Sequence, residues 1–273
     1  MLKTRIIPVL LLKNGVLVRS RNFTLHQSTG NYIYQVERFS EWRADEIIYL
    51  DISRESSHDT DTGNSVIGST SSNISKNSNK DNDIISVINQ ISKICRVPLT
   101  IGGGIRSIED IRKRLAAGAD KISINTIAID NPSFIKESSR EFGSQCIVVS
   151  IDVKKENGTW MVYKNFGKNS TNFTIDEWIA LVVSLGAGEI LLQSIDQDGR
   201  GNGYDLELVK HVEKMVEIPI VVLGGVGDFE HLLDGHKMNR DVALAAGNIF
   251  HFTERSIVNA KKFLLKSGVN VRV

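Results

Sequence analysis

Pro98-Leu99-Thr100-Ile101-Gly102-Gly103-Gly104-Ile105 is the stretch on which the fold turns. A short apolar run, suited to a strand buried on both faces, ends in three consecutive glycines. Beyond them Ile108, Ile111 and Leu115 fall on one face of a helix over 107–117, with Ser107 as its cap and Asp110 three residues later. A second apolar run follows at 121–124. The segment thus reads strand, glycine loop, helix, strand.

The same alternation extends in both directions. Strands are expected at 6–11, 47–51, 98–101, 121–124, 147–152, 189–193, 219–223 and 241–245, most of them continuous Val/Ile/Leu runs. Ile175, Trp178, Ile179, Val182 and Val183 give a further helix over 174–186 its apolar face. Eight strands alternating with helices predict a single (β/α)8 TIM barrel, an α/β fold, rather than a doubly wound sheet. With 273 residues, one such barrel of about 250 residues takes up nearly the whole chain.

The chain also repeats itself. Ile101-Gly102-Gly103-Gly104-Ile105 resembles Leu223-Gly224-Gly225-Val226-Gly227, an offset of 225 − 103 = 122, and Ala119 to Asn125 roughly matches Arg240 to Ala246. Leu11-Leu12-Lys13 matches Asp152-Val153-Lys154 at 152 − 11 = 141. Two half-barrels, about 1–144 and 145–273, are expected, the first carrying 19 extra residues (141 − 122). Those residues fall in 53–83, where nine Ser and five Asn stand against three aliphatics, Val66, Ile67 and Ile74. Such a segment buries too little apolar area to offset its ordering entropy, so a mobile insert is expected there.

Lys plus Arg (33) balances Asp plus Glu (32), which gives no electrostatic case for nucleic acid or an anionic membrane. No apolar run approaches the roughly 20 residues that span a bilayer. Cys95 and Cys146 lie far apart without ligand spacing, so neither metal nor cofactor is expected, and a cytoplasmic setting is.

Glycines directly after strands let backbone N–H groups converge on an anion. Gly102-Gly103-Gly104 with Asn125-Thr126, and Gly224-Gly225 with Ala246-Gly247, predict one phosphate cradle per half. An elongated ligand with a phosphate at each end fits two such cradles across one mouth. At the opposite face, Arg5, Glu46, Lys121 and Glu189 each stand at a strand start and can form a ring of ion pairs. Strand-start charges at a barrel bottom serve stability by default.

The chain resembles the cyclase subunit of imidazole glycerol phosphate synthase and its HisF-like relatives over nearly all of its length outside 53–83. Arg5-Ile6-Ile7-Pro8, Leu50-Asp51-Ile52, Gly102 to Ile105, Ala119 to Thr126 and Phe142-Gly143-Ser144-Gln145 carry the resemblance. So do Ile151-Asp152, Gly186 to Leu192, Ser194-Ile195-Asp196-Gln197-Asp198-Gly199 and Gly268 to Arg272. It implies a glutaminase partner (HisH-like) at the barrel's N-terminal face and ammonia passing along the axis through a gate of Arg5, Glu46, Lys121 and Glu189. It further implies phosphate contacts at Gly104, Asn125 and Thr126, and at Gly199, Gly225, Ala246 and Gly247.

The family's cyclase chemistry uses two aspartates, one as acid and one as base. Asp152 matches one, whereas the other position is Leu11, which neither carries nor accepts a proton. Three further departures are Arg19 for a Lys, Gln193 for a Thr and Leu223 for a Ser. A divergent branch tied to surface-polysaccharide genes also lacks Asp at position 11. The leading expectation is therefore a barrel that conducts ammonia to an acceptor, with a possible third partner at the mouth, for sugar amidation. The alternatives are an active cyclase in histidine biosynthesis and a non-catalytic scaffold.

Overall fold

Eight strands pair side by side in one direction until the last meets the first. The computed structural model describes residues 3–53, 80–238 and 242–272. The barrel strands are β1 (Ile6–Lys13), β4 (Ile47–Asp51), β5 (Leu99–Gly102), β6 (Lys121–Ile124), β7 (Ile147–Glu156), β10 (Glu189–Ser194), β11 (Ile220–Leu223) and β12 (Ala243–Ala246). All neighbours are parallel, and β12 closes on β1 with Ile6 opposite Leu244. Helices α1 (Tyr32–Glu41), α2 (Lys80–Ile91), α3 (Ile108–Ala116), α4 (Thr126–Asp130) and α5 (Ser133–Phe142) belong to the first half of the chain. In the second half come α6 (Ile175–Ser184), α7 (Leu206–Glu213), α8 (Phe229–Met238) and α9 (Ile257–Lys266). The fold is the expected single (β/α)8 barrel. Among the described residues no helix is long and apolar enough to cross a membrane.

Alternation along each strand sorts the side chains into two shells. On β1, Ile7 and Val9 enter a small inner column with Ile48, Val148, Leu191, Val221, Leu223, Ala243 and Ala245, and Leu11 and Leu50 pack against it. Ile6, Leu10 and Leu12 point the other way, into the large layer beneath the helices. Both shells are built of buried apolar side chains, which explains why the strands read as unbroken apolar runs.

The expected Ser107 cap forms: its hydroxyl accepts from the Asp110 amide, and the Asp110 carboxylate accepts from the Ser107 amide. Thr174 and Glu177 build the same box on α6. There Ile175, Trp178, Ile179 and Val182 are buried as expected. Val183 instead lies at the edge of the stripe and is exposed, because five apolar residues span a wider arc than the barrel covers.

Four further strands were not expected. β1 turns back into β2 (Val16–Arg21) and β3 (Leu25–Gly30), and β7 turns back into β8 (Thr159–Lys164) and β9 (Asn169–Thr174). Asn14-Gly15 and Asn157-Gly158 make the first reversals with positive φ at both residues, the conformation that two-residue hairpins need. The second reversals again carry a matched pair with positive φ, Asn22-Phe23 and Asn165-Phe166. Of the expected 53–83 insert, residues 54–79 lie outside the described residues, and α2 begins at Lys80.

Candidate active site and barrel axis

At the strand starts the four expected charges close a ring. The Arg5 guanidinium donates to Glu46 at 3.0 Å and to Glu189 at 2.5 Å. The Lys121 ammonium donates to Glu46 at 2.9 Å and to Glu189 at 2.8 Å. Thr100 also donates to Glu46, at 2.6 Å. Each cation thus bridges both carboxylates, which are only 2% and 5% exposed. Burial opposes the charge on Arg5 and on Lys121, but the paired carboxylates outweigh it and raise both pKa values. Beside the ring, Asp45 accepts from the Ile6 amide at 2.8 Å and from Lys261 at 2.9 Å, fixing the start of β1 to α9.

Above the ring the axis is lined by the apolar column. The column ends at a layer in which Leu11, Asp152, Gln193 and Leu223 sit on β1, β7, β10 and β11. In register, Gln193 lies between Asp152 and Leu223. Asp152 is buried and receives one long hydrogen bond, from Ser150 at 3.4 Å. Desolvation pushes its carboxyl up to about 7; the Ser150 bond opposes this and the nearby Asp198 charge adds to it. A group that titrates near neutrality can both take and give a proton. Leu11 can do neither, and its strand neighbours are Val18 and Leu50. The opposite wall of the mouth is therefore apolar.

The glycine loops adopt matched conformations. Gly103-Gly104 and Gly224-Gly225 all have positive φ. A Cβ at Gly103 would lie 1.9 Å from the Asp51 carbonyl oxygen, and one at Gly225 would lie 2.0 Å from that of Gly203, so close backbone approach alone demands glycine at both. Asn125 (φ −131°, ψ −82°) and Gly247 (φ −98°, ψ −80°) also share a backbone shape, each ahead of a helical turn.

The second cradle opens to space. Gly199, Gly225, Ala246 and Gly247 line a cavity of about 40 Å³ with Leu11, Gln193 and His251. In the first cradle the side chains are engaged. Asn125 donates to the carbonyls of Ser150 (3.1 Å) and Tyr163 (3.5 Å), and Thr126 accepts from the Asn165 amide at 3.2 Å. At Gly104 the nearest neighbour of an added Cβ is Arg114, at 3.7 Å.

The β2–β3 hairpin crosses the mouth and is fastened at its tip. Asp198 accepts from the Ser20 hydroxyl at 2.7 Å and from the Phe23 amide at 2.9 Å. Asn248 donates to the Ser20 carbonyl at 2.8 Å. The Phe23 ring lies against Gly167, in the turn of the β8–β9 hairpin. Beside this hairpin runs an open cleft of about 1310 Å³, whose lining includes Arg19, Arg21, Asn248 and Arg255. Arg19 is held on the hairpin by Gln27, at 2.7 Å from Nε. The sequence reading missed the fastening by Asp198 and Ser20, and it missed His251. Burial, with Arg38 and Arg19 nearby, lowers the His251 pKa to about 4, so its imidazole is neutral. The Asn-Gly pairs signalled the hairpins, but nothing in the sequence pointed to His251.

A family model described as "Histidine biosynthesis protein" matches residues 72–256. Imidazole glycerol phosphate synthase subunit HisF of Hydrogenobaculum sp. (strain Y04AAS1) is 43% identical over the full length of both chains. The proteins of the same name from Geobacillus kaustophilus (39%) and Lysinibacillus sphaericus (40%) also match over their full lengths. The chain belongs to the HisF family. These relatives are named as subunits of a synthase, and none of the names concerns sugar amidation. Leu11 is thus a feature of a HisF-family barrel in which burial raises the carboxyl pKa of Asp152 to about 7.

Proposed function

We propose that this chain is the barrel subunit of an imidazole glycerol phosphate synthase, with Asp152 as the single proton-transferring group of the cyclase step. The observation that carries the reading is Asp152 itself: buried at the mouth, with a carboxyl pKa of about 7. It serves as base when ionised and as acid when protonated. The names of the full-length relatives favour this role over the sugar-amidation expectation. In this reading a glutaminase docks at the strand-start face, in a cytoplasmic setting. The Arg5/Glu46/Lys121/Glu189 ring gates ammonia into the apolar column, which passes neutral NH3 and rejects NH4⁺ because an unpaired ion cannot be desolvated there. The cradles at Gly104/Asn125/Thr126 and Gly199/Gly225/Ala246/Gly247 take the two phosphates of the substrate.

Leu11 favours a second reading, in which the barrel delivers ammonia to another acceptor and does not cyclise. One assay separates the two: turnover of the bis-phosphorylated ribulosyl intermediate with ammonium salt as nitrogen source. The synthase reading expects measurable turnover that Asp152→Asn abolishes. It also expects Leu11→Asp to raise the rate by about 10²-fold or more, the usual worth of one acid–base group. No turnover by the parent, together with none by Leu11→Asp, would overturn the synthase reading and leave the conduit and the scaffold.

A further inference from the structure

A charged side chain on the covered face of a helix is costly to bury, so its position needs a reason. Arg114 stands on the inner face of α3 with Ile111 and is only 5% exposed. Helix side chains lean towards the helix N-terminus, which carries its guanidinium back up to the glycine loop at the mouth. There it donates to the Asp110 carbonyl at 3.1 Å and to the Gly103 carbonyl at 3.2 Å. Gly103 and Gly225 hold equivalent places in the two halves of the chain. The Gly225 carbonyl is anchored too, but by the neutral backbone amide of Gly203, at 2.8 Å. The same loop carbonyl is therefore held in both halves, once by a backbone N–H and once by a full positive charge.

We propose that Arg114 is a positioning residue of the first cradle, holding the Gly103 carbonyl so that the Gly104 N–H faces an incoming phosphate. The inference rests on reading this loop as a phosphate site and goes further by giving that site its own charged support. In a trans peptide the C=O and the N–H point in opposite directions. A Gly103 carbonyl directed to Arg114 on α3 thus turns the Gly104 N–H the other way, to the open side of the loop, where Gly104 is exposed. The charge-assisted bond on the carbonyl also polarises the peptide, which makes its N–H a stronger donor. The guanidinium adds its own field, since Nη2 lies 3.7 Å from the place that a Cβ on Gly104 would take. The first cradle is accordingly the tighter of the two for phosphate, and the second, anchored by Gly203, is the weaker.

The parent, Arg114→Met and Arg114→Gln are compared as full-length, isotope-labelled chains titrated with inorganic phosphate. The amide signals of Gly104 and Gly225 report the two cradles separately by NMR. Both neutral variants are expected to bind phosphate about ten-fold more weakly at Gly104, with Gly225 unchanged, because one charge-assisted support is lost. Before any phosphate is added, the Gly104 signal is expected to move in both variants, as its peptide loses the bond to the carbonyl. Thermal melting identifies a variant that fails to fold, and the other then decides. Unaltered affinity at Gly104, or an equal loss at both glycines, would overturn the role of Arg114 and leave the cradles in place. A parent whose Gly104 and Gly225 signals ignore phosphate would overturn the cradle reading and the proposal with it.

Discussion

At the scale of single residues, Asp152 carries the cost of burying a carboxyl group. Its carboxyl is buried and titrates near 7, against 3.8 for the free side chain. The folded state therefore binds the proton more tightly than the unfolded chain does. Stability contributed by this group is largest below about pH 4, falls as pH rises towards 7, and levels off above that. Asp152→Asn removes the penalty of burying the charge. Its stability relative to the parent, from denaturant unfolding, is expected to rise by about 2–3 kcal/mol between pH 5 and pH 8. An unchanged difference at the two pH values would show that the carboxyl is not held up by burial. Such a group across the mouth from Leu11 is a reason to read the mouth as chemically active.

At the scale of elements, the β2–β3 hairpin is held by very few bonds. Its tip depends on the Asp198 carboxylate, which accepts from Ser20 and Phe23, on the Asp198 carbonyl, which accepts from the Asn22 amide at 3.0 Å, and on Asn248. Asp198→Ala leaves the Ser20 hydroxyl and the Phe23 amide without that partner, at about 1–3 kcal/mol. Faster amide exchange is expected across 17–30, with the barrel strands unaffected, and hydrogen-exchange mass spectrometry reads this directly. Uniform protection in the variant would show that the Asn22–Asp198 backbone bond, the Asn248 bond and the packing of Phe23 on Gly167 hold the tip without the carboxylate. These elements also show what the sequence could reveal. All eight barrel strands were legible because burial on both faces leaves continuous apolar runs, and the Ser107 box was legible because caps are local. The hairpin strands were not, since β3, for example, exposes Gln27 and Ser28 and lacks an apolar stripe, although Asn14-Gly15 and Asn157-Gly158 marked the turns. The four ring charges could be listed from strand starts, and the structure brings them into contact. The fastening at Asp198 and the neutral His251 depend on loops meeting across the mouth, which no local pattern encodes.

At the scale of the whole molecule, ring, column and mouth lie along one axis, and the ring has both a structural and a transport interpretation. Glu46 and Glu189 are almost wholly buried, and each is shared between Arg5 and Lys121. Removing Lys121 leaves two buried carboxylates to one guanidinium, so Lys121→Ala is expected to cost about 3–5 kcal/mol of stability. A scaffold barrel would lose that and nothing else. If ammonia crosses the ring, the same variant also alters the path of ammonia made by a glutaminase, whereas ammonia added as salt reaches the mouth from solution. The ratio of glutamine-driven to salt-driven turnover in the complex is then expected to change by about ten-fold, equivalent to about 1.4 kcal/mol in the barrier to passage. Measuring both rates on one preparation cancels any loss of folded protein, because unfolding lowers them equally. A lower melting temperature with an unchanged ratio would assign the ring to stability and remove the gate from the mechanism.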